Sequence, residues 1–203
     1  MELIAYPDWT EYKKKSGLDP LGMQNSSINL YQTLLPGISN VTLRIRYYGL
    51  YAWLASTYAH RIGDTNPKTW QKFVRRAEAV YALAAQNRGD EGGMAGVLWA
   101  QRKLGADSGS VLDFSRHTDP GSEGPPYLEQ AWGAYGAAYA SQLFEIGVFA
   151  FAKDHQIPVP SPEFGEAIAL AFAESAGPLA SRFFEVVQGG VVARADLDDF
   201  SAL

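Results

Sequence analysis

Apolar residues recur at intervals of three and four along most of the chain, and residues that end helices divide this pattern into segments. Thr65 or Asn66 followed by Pro67 favours a helix start, whereas Gly63 and Gly89 favour helix ends. No segment shows the alternation of period two that indicates a strand. The predicted helices cover approximately residues 25–35, 41–62, 67–88, 93–104, 126–153, 162–176 and 178–188, with a short turn after Arg194.

Two of the predicted helices lack a polar face. The helix over 41–62 is rich in aromatic residues on every side, which predicts a central position, and the helix over 126–153 is equally apolar. The pattern therefore predicts an all-α fold of about six to eight helices around a long apolar central helix.

Glycine and proline residues indicate the domain organisation. Several of them interrupt residues 1–22, which we interpret as an N-terminal arm, and residues 23–203 form one all-helical domain. The longest loop, residues 105–126, offers a division of this domain into two halves as the alternative.

The composition is that of a folded protein. Of 203 residues, 47% are hydrophobic and 19% are charged, and a chain of this length buries roughly 70% of its surface on folding. The absence of cysteine excludes disulfides, thiolate metal sites and a cysteine nucleophile. The net charge of −5 argues against bulk attraction to nucleic acid or anionic lipid. No signal peptide is recognisable, which predicts a cytoplasmic protein.

Known catalytic and cofactor motifs are missing from the sequence, including HExxH, the P-loop, GxSxG and GxGxxG. The three histidines, His60, His117 and His155, are far apart in sequence, which does not suggest a metal site. We therefore expect no catalytic constellation, no metal and no cofactor.

Two arginines fall within the aromatic helix over 41–62. Arg44 and Arg46 would be costly there unless paired, because an unpaired buried charge is strongly destabilising. Glu145 is the only charge between residues 131 and 152. We predict that Arg44 or Arg46 pairs with Glu145 across the core as a register-fixing ion pair, or that both arginines line a buried polar site.

The segment over 131–152 is long enough to span a bilayer. However, Gln142 and Glu145 lie in its middle, and a carboxylate near the bilayer centre costs about 2.5–3.5 kcal/mol. The sequence favours a buried core helix and no membrane association.

A group of cations follows one side of the helix over 67–88. The group consists of Lys68, Lys72, Arg75 and Arg76, with Arg61 nearby. Such a face can contact phosphates, although the aromatic residues of this helix form a better core stripe than a base-stacking platform. We interpret the cations as a solvated face, with a surface for nucleic acid or an acidic partner as the alternative.

The segment over 34–54 resembles a motif in a family of bacterial proteins of unknown function. In that motif a turn of leucine, proline, glycine, threonine or isoleucine, and serine precedes an arginine-x-arginine-tyrosine helix that ends in tryptophan. The matching residues here are Leu35, Pro36, Gly37, Ser39, Arg44, Arg46, Tyr47 and Trp53. The resemblance covers about 20 to 35 residues and brings no catalytic residues. Some members occur near DNA-modification or phage-defence genes, so the resemblance implies a defence-associated role, and most are longer than this chain.

These observations favour a non-enzymatic helical interaction module or a subunit of a larger bacterial assembly. Its partner would be another protein or a second copy of the chain. A nucleic-acid-binding domain that uses the basic helix face is one alternative. An enzyme with a central pocket around Arg44, Arg46 and Glu145 is the other.

Overall fold

The structure is a computed structural model and describes residues 24–35, 42, 44–89, 94–122 and 124–201. The chain divides into two compact units between Pro36 and Gly37. The predicted arm and the residues 36–39 of the sequence motif lie outside the described residues. The helices are α1 (Gln24–Leu34), α2 (Arg46–Arg61), α3 (Pro67–Arg88), α4 (Val97–Ala106), α5 (Ser115–Thr118), a π-helical turn (Tyr135–Tyr139), α6 (Ala140–Glu145), α7 (Gly165–Ala176), α8 (Pro178–Gly189) and α9 (Arg194–Phe200).

The prediction of a mostly helical fold is confirmed. Helix α3 lies at the centre of the second unit and packs against α4, α5, α8 and α9, while α2 packs against α7. Every residue from 73 to 85 of α3 is buried, so this part of the helix has no solvent face. Its start and end are as predicted, because the Asn66 side chain accepts a hydrogen bond from the Lys68 amide and Gly89 ends the helix at φ +85°.

Two short antiparallel strand pairs, which the sequence pattern does not predict, occur among the described residues, and one of them joins distant parts of the chain. Strand β1 (Val111–Asp113) pairs with β4 (Val191–Ala193), with Leu112 opposite Val192. Strand β2 (Phe149–Phe151) pairs with β3 (Pro158–Pro160). Each strand has three residues, which is too short for a recognisable alternation.

The prediction of a long helix over 126–153 is wrong about the length of the helix. The helical stretch covers only residues 133–145, and it begins at Gly133 with φ +62°. Gly147 at φ +76° then turns the chain into β2. Glycine adopts this left-handed backbone conformation readily, whereas a regular helix cannot continue through it. The two glycines therefore limit the helical stretch at both of its ends. Within the described residues, no helix combines the length and apolar character needed to cross a membrane.

Helix α2 is also shorter than predicted. It begins at Arg46, so Arg44 precedes the helix. Helices α7 and α8 meet at Gly177 and Pro178, as the sequence indicates. The Ser161 hydroxyl accepts hydrogen bonds from the amides of Phe164 and Gly165 at the start of α7.

Candidate functional site

The basic face of α3 is only partly a solvated surface. Arg75 is only 6% exposed, and its guanidinium donates hydrogen bonds to carbonyl oxygens at the end of α5 and in the segment after it. Its Nε donates to Thr118 at 2.9 Å, its Nη1 to Gln130 at 2.5 Å and its Nη2 to Leu128 at 3.2 Å. The guanidinium carbon also lies 4.8 Å from the centre of the Tyr127 ring. Arg75 therefore holds this irregular segment against the helix.

Arg76 has a similar structural role. It is 8% exposed, donates two hydrogen bonds to the carboxylate of Asp119, and donates from Nη1 to the carbonyl oxygens of Val187 and Gln188 near the end of α8. Lys72 lies 3.1 Å from the same carboxylate. Burial raises the pKa of Asp119, but the hydrogen bonds and charges of Arg76 and Lys72 outweigh that effect and hold its pKa below the usual value.

The other two cations of the predicted face are exposed. Lys68 lies in the first turn of α3, and the Arg61 guanidinium lies 5.0 Å from the centre of the Phe184 ring. The interpretation of all five cations as one open face is wrong for Arg75 and Arg76, because their guanidinium groups are used inside the fold.

The expected ion pair with Glu145 is also not formed in the described part of the chain. Glu145 is exposed at the end of α6, and no salt bridge joins it to Arg44 or Arg46. Arg46 is exposed, with its guanidinium carbon 5.9 Å from the centre of the Phe172 ring, and Arg44 is half-buried. The early end of the helix at residue 145 places the carboxylate at the surface.

Arg44 and Arg46 instead meet a third arginine at a cleft of about 200 Å³, which we call the arginine cleft. Arg88 reaches the cleft from the last turn of α3, where its Nη1 donates to the Ser201 carbonyl oxygen at 3.3 Å. The described residues that line the cleft are Arg44, Arg46, Tyr47, Tyr81, Ala84, Ala85, Arg88, Met94, Phe200 and Ser201. No acidic residue occurs in this described lining.

A second cavity of about 390 Å³ shares Tyr47 and Met94 with the arginine cleft. Small residues of the helical stretch 133–145 form part of its wall, and we call it the alanine cavity. Its described lining consists of Tyr47, Met94, Ala95, Leu128, Gln130, Gly133, Ala134, Ala137, Ala138 and Tyr139.

Glu78 is a candidate functional residue that the sequence pattern did not indicate. Its fully buried carboxylate accepts hydrogen bonds from the Tyr51 hydroxyl at 2.7 Å, from the Tyr127 hydroxyl, and from the amides of Ala134 at 2.9 Å and Tyr135 at 2.7 Å. Burial raises the pKa of Glu78, and these four donors oppose that shift without cancelling it. The two amides belong to the first turn of a helix, where an anion is favoured. Glu78 therefore fixes the start of the stretch 133–145.

Gly133 is required by this arrangement. A Cβ atom at this position would overlap the Tyr127 hydroxyl oxygen and Oε2 of Glu78, and its φ of +62° disfavours other residues. The only sequence signal for the site is that Glu78 is the single acidic residue of α3, within an otherwise apolar stretch.

Tyr51, which donates to the Glu78 carboxylate, belongs to a cluster of tyrosine rings. The Tyr47 ring lies 5.6 Å from Tyr51, 5.4 Å from Tyr81 and 5.0 Å from Tyr139, measured between ring centres. Burial, followed by the charge of Glu78, raises the pKa of Tyr47, so its hydroxyl is neutral. That hydroxyl is buried near the Ala95 backbone and has no hydrogen-bond partner among the described residues.

No protein-family model, curated protein or solved structure is significantly similar to this chain. Groups of histidine, aspartate and glutamate that would hold a metal ion do not occur among the described residues.

Proposed function

We propose that the chain is a non-enzymatic helical binding module in a larger bacterial assembly, and that its recognition site is the arginine cleft. The observation that carries this proposal is the meeting of Arg44 and Arg46, at the start of α2, with Arg88, at the end of α3, at one concave surface. The anionic group that the cleft takes would be a phosphate or a carboxylate. The cytoplasmic location and the link to phage defence belong to the same proposal and rest on the sequence alone.

The arginines can bind a ligand in addition to their contacts within the chain. A guanidinium has five N–H donors, so one arginine can contact several acceptors at the same time. Planar guanidinium groups also match the paired oxygens of phosphates and carboxylates. Since Tyr47, Tyr81 and Phe200 line the same cleft, the bound group would sit on an apolar floor that strengthens its electrostatic interactions.

The two alternatives have less support. A nucleic-acid surface on α3 would need Arg75 and Arg76, which bind Asp119 and backbone carbonyl oxygens instead. An enzyme built on Arg44, Arg46 and Glu145 would need the carboxylate at the cleft, and Glu145 is not part of its described lining.

The test is a pull-down of the tagged chain from its native host, with and without nuclease, read by quantitative mass spectrometry. A variant that combines Arg44→Ala with Arg46→Ala should reduce recovery of a stoichiometric partner at least about tenfold, because two of the three charges that line the cleft are removed. The matched control combines Arg61→Ala with Lys68→Ala, two exposed cations outside the cleft, and should recover the partner like the wild type.

Equal recovery by the cleft variant and the wild type would contradict the proposal. Partners that disappear on nuclease treatment would favour nucleic-acid binding in its place.

A further inference from the structure

Helix α7 has a broad apolar surface exposed to solvent. The helix packs against α2 and β3, and its buried residues include Ala169 and Phe172. On the opposite side Leu170 is 60% exposed, and Phe164, which directly precedes the helix, is 50% exposed. The exposed residues share one half of the helix, because their spacing follows its turns. We call this surface the α7 face, and its residues are Phe164, Glu166, Ala167, Leu170, Ala171 and Glu174.

The charges of the α7 face are all negative. Glu166 and Glu174 are exposed, as is Glu163 just before the helix, and α7 contains no lysine or arginine. None of these three carboxylates forms an ion pair or a hydrogen bond with another described residue. By contrast, Glu185 of α8 and Asp196 of α9 both pair with Arg182. The α7 face is therefore an apolar surface whose negative charge is not balanced within the described part of the chain.

Small residues on the α7 face allow a second helix to approach closely. Ala167 and Ala171 are exposed and four positions apart, so they lie one above the other along the helix. The distance between two packed helices depends on the side chains at their contact, and alanine permits a short one. Phe164 and Leu170 add larger exposed apolar groups beside these alanines. A helix with one apolar side fits such a surface.

Charge complementarity determines the chemistry of the helix that fits. Lysine or arginine residues next to its apolar side would face Glu166 and Glu174, and opposite charges across an interface favour association. A second copy of α7 would instead place carboxylates against carboxylates, and like charges that face each other oppose association. The α7 face is therefore suited to a cationic partner rather than to itself.

We propose that the α7 face binds a basic amphipathic helix of a partner protein. The apolar side of that helix covers Phe164 and Leu170, and its cations meet Glu166 and Glu174. The described lining of the arginine cleft includes no residue of α7, so the inference concerns a separate surface and does not rest on the function proposed for the cleft.

The experiment measures binding of a fluorescent peptide to the full chain by fluorescence anisotropy at physiological ionic strength. The peptide consists of leucine and lysine in an order that forms an amphipathic helix, and the control peptide has the same composition in scrambled order. The amphipathic peptide should bind at least about tenfold more tightly, because only its order places the leucines on one side. Equal binding of the two peptides would overturn the inference.

A leucine variant locates the binding. Leu170→Lys should weaken binding of the amphipathic peptide at least about tenfold, because it removes apolar surface and adds a like charge. Leu98→Lys is the matched control, since Leu98 is 70% exposed on α4 and the change in charge is the same. The control should bind the peptide within about twofold of the wild type. Equal affinities of the two variants would overturn the inference.

A charge variant separates the α7 carboxylates from the net charge of the chain. Glu166→Gln combined with Glu174→Gln should weaken peptide binding at least about fivefold. The control combines Glu129→Gln with Asp154→Asn, which removes two charges from exposed positions outside the α7 face. An equal loss in both double variants would show bulk attraction and overturn the inference.

Two further measurements distinguish this inference from its alternatives. Self-association of the wild type in sedimentation velocity that Leu170→Lys abolishes would overturn the inference in favour of a second copy. Arg44→Ala combined with Arg46→Ala should not weaken peptide binding, because both residues lie outside the α7 face. Failure of the cleft proposal in the pull-down and failure of peptide binding are therefore separate results.

Discussion

Two parallel hydrogen bonds join Arg76 to Asp119, with Nε donating to Oδ1 at 2.7 Å and Nη2 donating to Oδ2 at 2.8 Å. Arg76 lies midway along α3 and its guanidinium is buried. Asp119 lies directly after α5, 43 positions later in the chain. Because this bidentate geometry matches the shapes of both groups, it holds the loop after α5 in one orientation on the helix.

Asp119→Asn is expected to destabilise the protein by about 3 kcal/mol, because it leaves the buried Arg76 guanidinium without its anion. Urea unfolding followed by circular dichroism measures the change. Asp196→Asn is the control, since Asp196 pairs with the exposed Arg182, and its loss should be clearly smaller. Similar losses for both variants would contradict a special role for the Arg76 pair.

The contribution of Asp119 should depend on pH. Since the pKa of Asp119 is lowered in the folded state, its stabilisation is present above the unfolded pKa of about 3.9 and is lost as the pH falls through the folded pKa. The difference in unfolding free energy between the wild type and Asp119→Asn should therefore be constant near pH 6 and shrink in acid. A difference that does not change down to pH 2.5 would disprove this assignment.

Glu78 should show the opposite pH dependence. Burial raises its folded pKa above the unfolded value of about 4.3, so its contribution is greatest below that value and decreases as the pH rises through the folded pKa. The stability of the wild type relative to Glu78→Gln should therefore fall between acid and neutral pH. Thermal unfolding of both proteins across this range measures the trend, and a rising difference would show that the folded pKa is lowered instead.

Gly133→Ala is expected to cost more than about 2 kcal/mol, because an unfavourable left-handed φ is combined with overlap against Glu78 and Tyr127. Gly121→Ala separates the two effects, since Gly121 has φ +79° but open space around its Cβ position. The control should lose only about 1 kcal/mol. Equal losses in denaturant titrations would mean that the crowding at Gly133 is relieved by movement.

Two neighbouring tyrosines of α2 should respond differently to loss of the hydroxyl. Tyr51→Phe removes a hydrogen bond to the buried Glu78 carboxylate and should cost about 1.5–3 kcal/mol. Tyr47→Phe removes a hydroxyl that has no partner among the described residues and should cost nothing or stabilise slightly. Chemical unfolding of the two variants gives the comparison, and equal losses would refute the distinction between the two hydroxyls.

Helix boundaries were predictable where local chemistry determines them. Asn66, Pro67 and Gly89 delimit α3, and Gly177 with Pro178 separates α7 from α8, because capping and the restricted backbone of proline act within a few residues. The helix over 126–153 was not predictable, since its start depends on Glu78, which is distant in sequence. Three-residue strands carry too little pattern to be recognised.

The site could be predicted only in part. The expectation of a buried polar site is wrong as to burial, because Arg46 is exposed and Arg44 is half-buried. Both line the arginine cleft together with Arg88, and Glu145 is not part of its described lining. The burial of Arg75 and Arg76 was not predicted, because an amphipathic pattern assigns charged residues to a helix face exposed to solvent. Residues 73–85 of α3 have no such face. Such burial depends on backbone carbonyl oxygens of residues that are distant in sequence. The local sequence pattern around Arg75 and Arg76 therefore cannot predict it.

The position of Glu78 also has a consequence for the order of folding. The carboxylate lies 56 residues before the Ala134 amide that it holds, and a helix of the length of 133–145 is marginal by itself in water. This helix should therefore form late, after α3 is in place, so that mutations in it accelerate unfolding more than they slow folding. A fragment that begins after residue 126 would then lack the carboxylate that holds the first turn of this helix.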